Sequence, residues 1–365
     1  MTEYGKNLKI SIYGGSHGDH IGIHAQGLPL GFSFDLPELI AFMSRRAPGQ
    51  NEFSTKRKEP DIPEFLSGVK KISDSKFEIT DEEFHAIIKN TSQRSSDYAS
   101  ETFIPRPSHA DFTAREKYGK SVDLRGGGHY SGRLTAPMCI VGGICLQYLR
   151  SLGIEIKAHI YSIGNVKDTP FDLANVSLKE FDILDQRKTF PVLSENAGEL
   201  MKEKINEARS DGDSVGGVIE CAALGLPIGL GELIFDGVEN RISAIIFGIP
   251  AIKGIEFGNG FETARLLGSE NNDPFEISQD GKIRTSTNNC GGILGGMTNG
   301  MPLVFRAAIK PTPSIFKPQR SVDMNSMTPA ELIIKGRHDP CIALRAVPVF
   351  EAATAIAICD MLADK

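Results

Sequence analysis

Residues 348–362 are apolar on most faces. A helix without a polar stripe has to be buried, so this segment predicts a helix inside the fold. Asp35-Leu36-Pro37-Glu38 reads as an N-cap, a proline in the first turn and a glutamate at the capping-box position. Leu36, Leu39, Ile40 and Met43 then keep helical spacing until Ala47-Pro48-Gly49 stops it. Further helices are expected over 134–152, over the amphipathic stretch 196–209 and over 238–247. Alternation and short apolar runs predict strands at 8–12, 66–72, 154–160, 214–223 and 302–309. Residues 80–90 open on a T-x-x-E cap with Phe84, Ile87 and Ile88 inward, which predicts another helix. A short helix is expected to end in the charged turn 335–341. No shift in composition marks a linker, so the chain reads as one compact α/β domain over residues 1–365.

The formal net charge is −6, which argues against nucleic acid as a partner. No stretch reaches the roughly 18 apolar residues of a membrane span, and the first ten residues lack the apolar core of a signal peptide. A soluble, cytoplasmic protein is expected. The six cysteines (139, 145, 221, 290, 341, 359) form no CxxC pair and no Cys/His finger spacing, which predicts free thiols.

The residues that could do chemistry lie in turns. His17, in Tyr13-Gly14-Gly15-Ser16-His17-Gly18, is hemmed by small residues at a strand end and is approachable. His17, His20 and His24 have near-ligand spacing, but Gly18 and Gly22 speak against the helical face such a metal site needs. Arg45, Arg46, Lys56, Arg57 and Lys58 put five cations within fourteen residues of an acidic chain, which points to a local anion site. Arg45 and Arg46 alone read equally well as helix-end cations facing the dipole. The loop Arg106-Pro107-Ser108-His109-Ala110-Asp111 is dense in Arg, Ser, His and Asp. Sequence neighbours rarely converge as a hydrolytic triad, however, because triads are defined by spatial geometry.

A glycine turn, Gly126-Gly127-Gly128, enters the helix at 134–152, where free N–H groups and the dipole can hold an anion. It is neither a P-loop nor a clean GxGxxG. The stretch 284–314 has a Gly- and Asn-rich turn, an apolar strand and then Lys310-Pro311-Thr312-Pro313-Ser314. There two prolines fix φ and withhold donors while Lys, Thr and Ser offer them, as suits a pre-shaped anion seat. A Pro-rich connector without a ligand is the plainer alternative. Asp339 precedes Pro340 and is held extended; Arg337 would depress its pKa if close, although an ordinary ion-paired turn fits as well. Taken together, the turns suggest an enzyme for phosphorylated compounds that binds two anionic ligands, with acid–base groups at His17, His109 and Asp339.

The sequence resembles the chorismate synthase family nearly end to end. The matching segments are GGSHG at 14–18, RRAPGQNEFSTKRKEPD at 45–61, RPSHAD at 106–111 and LRGGGHYSGRLTA at 124–136. DGDSVGGV at 211–218, GGILGGMTNGMP at 291–302, KPTPSI at 310–315 and KGRHDPC at 335–341 follow in order. The resemblance implies β-sheets sandwiching a central layer of long helices, an α+β architecture and not a doubly wound parallel sheet. It implies a lyase that converts 5-enolpyruvylshikimate 3-phosphate to chorismate and phosphate, with reduced FMN as an unconsumed cofactor, NADPH as its ultimate reductant and a homotetramer. By the same resemblance His17 is the acid that protonates the departing phosphate, His109 stabilises the flavin N1 side, and Asp339 is the base at flavin N5. Arg45, Arg46, Arg57, Arg106 and Arg133 are expected on substrate anions or NADP. His129, Tyr130, Ser131, Pro250, Ala251, Gly295, Lys310, Pro311, Thr312, Pro313, Ser314 and Arg337 match positions that hold FMN.

The chain departs from the family pattern at Gly15, Glu52, His129-Tyr130 with Gly132, and Pro250, where relatives usually carry Glu, Arg, Arg-Ser with Ala, and Asn. Two rivals predict different behaviour. A non-catalytic flavin- or phosphate-binding protein would bind FMN without forming chorismate, and an NADPH-dependent flavin reductase would oxidise NADPH without the shikimate substrate. An external flavin reductase is the expected partner.

Overall fold

The structure is a computed structural model and describes residues 3–49, 53, 60–90, 103–334 and 338–364. Glu52, Lys56, Arg57, Lys58 and Arg337 lie outside the described residues. Two five-stranded sheets carry the fold. The first contains β1 (Glu3–Tyr4), β2 (Lys9–Gly14), β3 (His20–Gln26), β5 (Glu64–Ser67) and β8 (Phe84–Lys89), in the order β1-β2-β3-β8-β5. The second contains β9 (Glu155–Ile163), β10 (Val166–Lys167), β11 (Gly217–Leu224), β12 (Ile252–Phe257) and β17 (Leu303–Ile309), in the order β10-β9-β11-β17-β12. Within both sheets every described pairing is antiparallel. A smaller sheet joins β4 (Ser33–Asp35), β7 (Lys76–Ile79) and β6 (Val69–Lys71).

Between the large sheets lie α1 (Leu36–Arg46), α3 (Thr135–Ser151), α6 (Val238–Phe247) and α8 (Ala343–Leu362). Helix α3 packs on β3 and β8, α8 packs on β9 and β11, and the two helices pack on each other. All but two residues of α8 are buried, as an all-round apolar helix requires. The α3–α8 contact is close because Gly142 leaves room for it: a Cβ there would overlap the Cα and Cβ of Ala352. The α+β sandwich implied by the family resemblance is the architecture observed.

Strand β11 is buried on both faces. Ile219, Cys221 and Ala223 join the main core, while Ala222 packs outward with Val304, Phe171, Phe181 and Leu184. That outer cluster is roofed by α4 (Leu178–Gln186), beside α5 (Glu195–Ser210). A polar cluster shares the same outer face. His159 sits fully buried between Asp168 (3.1 Å from Nδ1) and Glu220 (2.8 Å from Nε2), and Glu220 also accepts from Arg306 at 2.7 Å. The remaining elements are α2 (Asp111–Tyr118), α7 (Gly268–Asn271) and three hairpins. The hairpins are β13 (Phe275–Ile277) with β14 (Ile283–Thr285), β15 (Ile293–Leu294) with β16 (Met297–Thr298), and β18 (Gln319–Asp323) with β19 (Thr328–Leu332).

Three local expectations are corrected. Residues 84–89 form strand β8 and not a helix; Phe84, Ala86 and Ile88 alternate inward, and pairing with both β3 and β5 outweighs the T-x-x-E cap signal. The single strand expected at 66–72 is broken at Gly68, whose φ of 80° and close approach to Phe84 turn the chain from the first sheet into the small one. No helix precedes the turn at 335–341: residues 328–332 are strand β19 and residues 333–334 are irregular.

Candidate active site

Separate turns open onto one cleft of about 660 Å³, within the roughly 300–1,000 Å³ of small-molecule sites. His17, His109 and Asp339 all line it, as do Arg46, Arg106 and Arg133. His17 is in the turn between β2 and β3. Its Nδ1 lies 3.2 Å from Ser16 Oγ, and Ser16 also donates to the carbonyls of Arg125 and Gly126 at 3.2 Å each. Gly126, Gly127 and Gly128 have φ of 56°, 95° and 51°, which only glycine adopts readily. A Cβ on Gly126 would overlap the His17 ring, and one on Gly127 would stand 3.5 Å from His109 Nε2. The glycine turn is therefore a seat for two imidazoles.

His109 is held from behind. Its Nδ1 is 2.7 Å from Asp111 Oδ1, and Arg106 grips the same carboxylate through Nε (2.6 Å) and Nη2 (2.7 Å). Burial alone would raise the Asp111 pKa, but the hydrogen bonds from Arg106 and His109 hold it well below the usual carboxylate range. Ser108 does not complete a hydrolytic triad; its backbone has φ 61°, and its carbonyl accepts from Lys310 Nζ. Ala251, also in the cleft, has φ 76°. Two of the four described non-glycine residues with positive φ thus line this site, and such strain gathers where a scaffold imposes geometry.

Asp339 precedes α8 and receives Arg345 Nη1 at 2.6 Å on Oδ2, while Arg345 Nε donates to the Arg46 carbonyl at 2.9 Å. The N-cap residue Ile342 and one face of α8 (Arg345, Ala346, Val349) wall the cleft at helical spacing. Burial, then Lys253, lowers the Lys310 pKa, and burial, then Arg106, lowers that of His338. His338 also leaves a buried Nε2 without a hydrogen-bond partner among the described residues. An anionic ligand with hydrogen-bonding groups would relieve both.

The arginines divide. Arg46 is buried and pairs with Asp61 (Nε–Oδ2 2.9 Å), whose other oxygen takes Arg133 Nη1 at 2.8 Å. Burial would raise the Asp61 pKa, but Arg46 and Arg133 lower it below the usual range. Arg45 does not reach the cleft; it forms a two-point pair with the buried Glu351 of α8 (2.5 and 3.0 Å). His129, Tyr130, Ser131, Pro250, Ala251, Lys310, Thr312, Pro313 and Ser314 line the cleft, whereas Pro311 does not. Gly295 is also elsewhere: its neighbour Gly296 packs at the start of α6. The cleft meets that helix at its other end, about 15 Å away at 1.5 Å per residue. His20 and His24 do not converge with His17; with Tyr13 they stand on the face of the first sheet, where His24 stacks on His85 at 4.1 Å.

Sequence reading missed Arg345, Lys253, His338 and the α6 end at Phe247-Gly248-Ile249. Arg345 and Lys253 carry no local signal, since Arg345 stands just before the segment 348–362 read as a buried helix and Lys253 lies on a strand, whereas His338 lies in the charged turn read at 335–341 without a role of its own. No group of three His, Cys, Asp or Glu suited to a metal ion occurs among the described residues, and none of their helices is long and apolar enough to cross a membrane.

Comparison with known proteins places this arrangement. The model of the family described as chorismate synthase matches residues 8–363. A chorismate synthase of Lancefieldella parvula is 45% identical over 99% of this chain and 96% of its own length. That of Thermococcus kodakarensis is 44% identical over 98% of this chain and 96% of its own. A solved structure titled as a crystal structure of chorismate synthase superposes with a TM-score of 0.76 at 28% identity, covering 99% of this chain and 93% of the other. Matched over nearly its whole length in sequence and in fold, the chain belongs to the chorismate synthase family.

Proposed function

We propose that the cleft takes reduced FMN and 5-enolpyruvylshikimate 3-phosphate together, and that His17, His109 and Asp339 carry the proton chemistry. The chain catalyses the family reaction, a lyase step ending the shikimate pathway. One C–H and one C–O bond break, a C=C bond forms, and chorismate and phosphate leave. The cleft residues suit the cofactor. Ile249, Ile252 and Val349 offer apolar wall for a flat ring system, Lys310 and Ser314 offer donors for a phosphate, and the orphaned Nε2 of His338 lacks a partner that a polar ring edge would supply. When bound, reduced FMN lends electron density that eases loss of the phosphate and is not consumed.

In this reading the protein orients, excludes water and moves protons. His17 gives a proton to the departing phosphate oxygen. His109, aligned through Nδ1 by Asp111, presents Nε2 to the ligand. Asp339, oriented through Oδ2 by Arg345, accepts a proton. Arg46, Arg106 and Arg133 attract the substrate's anionic groups, as guanidinium groups do. Arg57 and Arg337 retain the roles that the family pattern implies. The convergence of His17, His109 and Asp339 on one cationic cleft is the observation that carries this proposal. We further propose NADPH, acting through a separate flavin reductase, as the source of reduced flavin, and a homotetramer as the working assembly.

An anaerobic assay tests the reading. With reduced FMN and the phosphorylated substrate, chorismate and phosphate should appear in equal amounts. NADPH oxidation without substrate would favour a flavin reductase, and FMN binding with no product would leave only a binding protein.

A further inference from the structure

Asn90 directly follows strand β8 and does not line the cleft, yet every polar atom of its amide has a partner. Its Nδ2 donates to the carbonyl of Gly18 at 2.7 Å and to that of Gly15 at 3.1 Å, the residues that bracket Ser16 and His17. Its Oδ1 accepts from Arg133 Nε at 2.6 Å, and its backbone N–H donates to Asp19 at 3.0 Å. This pattern fixes which way the amide points: only the NH₂ can serve two carbonyls, and only the oxygen can serve a guanidinium. Arg133 in turn shares the buried Asp61 with Arg46. A continuous chain of bonds therefore runs from two cationic side chains of the cleft, through Asn90, to the turn that carries His17.

We infer that Asn90 is a positioning residue for His17, setting the imidazole against the leaving group from outside the cleft. The turn needs such a clamp. Of its side chains Ser16 ties it to the carbonyls of Arg125 and Gly126, and its two glycines add no side-chain restraint. The glycine seat formed by Gly126 bears on the ring, and Asn90 holds the backbone that carries it. The inference rests on the proposed role of His17 and adds to it the group that delivers that role.

A double-mutant cycle in the full enzyme tests it, using Asn90→Ala, His17→Ala and the two together in anaerobic single turnovers with reduced FMN. A misplacement of about 1 Å can cost roughly 100-fold in rate, so Asn90→Ala should slow turnover by about 10- to 100-fold with little change in KM. In the His17→Ala background the same change should alter the rate by less than about 2-fold, because residues acting as a unit are not additive. Asn90→Asp keeps an oxygen for Arg133 but loses the donors to the turn. It should share the kcat loss, and it serves as the second arm if the alanine variant does not fold. Losses that multiply with that of His17→Ala, a loss confined to KM, or wild-type rates in both Asn90 variants would overturn the inference. A fast His17→Ala enzyme would instead remove the role of His17 itself.

Discussion

The His17 imidazole keeps its place because the residue facing it has no side chain. Gly126 combines a φ of 56° with a Cβ position already occupied by that ring. Gly126→Ala should therefore displace the ring and lower turnover by about 100-fold, while the left-handed backbone costs about 1–2 kcal/mol. Paired rate and thermal-unfolding measurements check this; a variant with normal turnover would show that the seat is dispensable. His17, His109 and Asp339 were legible as acid–base candidates because each stands in a turn among small or constrained residues. Arg45 was legible only as a cation. Sequence could not say that Glu351, 306 positions away, would draw it out of the cleft.

Among elements, the cap at Asp35 and the long helices could be read in advance, and strand β8, behind a misleading T-x-x-E signal, could not. The N-cap at Asp35, accepting from Glu38 N at 2.8 Å, and helix α6 over 238–247 match their expectations, since local chemistry decides both. Strand β8 was hidden because its two partners, β3 and β5, lie outside any local window.

The network on β9, β11 and β17 was equally invisible, and it makes a pH prediction. With carboxylates at both ring nitrogens, His159 is satisfied only when doubly protonated. Burial alone would lower its pKa, but Asp168 and Glu220 outweigh burial and raise it. A raised folded-state pKa contributes stability that is complete below the unfolded value of about 6.5 and is lost as pH rises through the folded value. Wild-type unfolding temperature should thus fall from about pH 6.5 upward. His159→Asn, which should cost roughly 3–5 kcal/mol by stranding buried carboxylates, should lack that slope. Parallel curves would contradict the assignment.

The whole molecule is a scaffold that brings distant turns together. Two sheets clamp α3 and α8, and the cleft forms where the turn after β2, the loop before α2, the segment after β17 and the start of α8 meet. That meeting is what no single stretch of sequence carries, although the ordered motifs implied it through the family. The surface suggests the assembly too. Leu233, Ile234 and Phe235 form an apolar projection, with Phe235 88% exposed, as an oligomer contact would require. Sedimentation equilibrium should give four times the 39.6 kDa of one chain, and Phe235→Asp should lower that mass; a monomeric wild type would refute it.

The central claim is that three side chains from separate turns act in one cleft, and anaerobic single-turnover kinetics test it most directly. Chorismate release would be followed with reduced FMN in wild type, His17→Ala, His109→Ala and Asp339→Asn. General acid–base groups are typically worth about 10²–10⁴ in rate, so each variant should slow by at least about 100-fold while still binding flavin. Near-wild-type rates in these variants, with the fold intact, would contradict the claim.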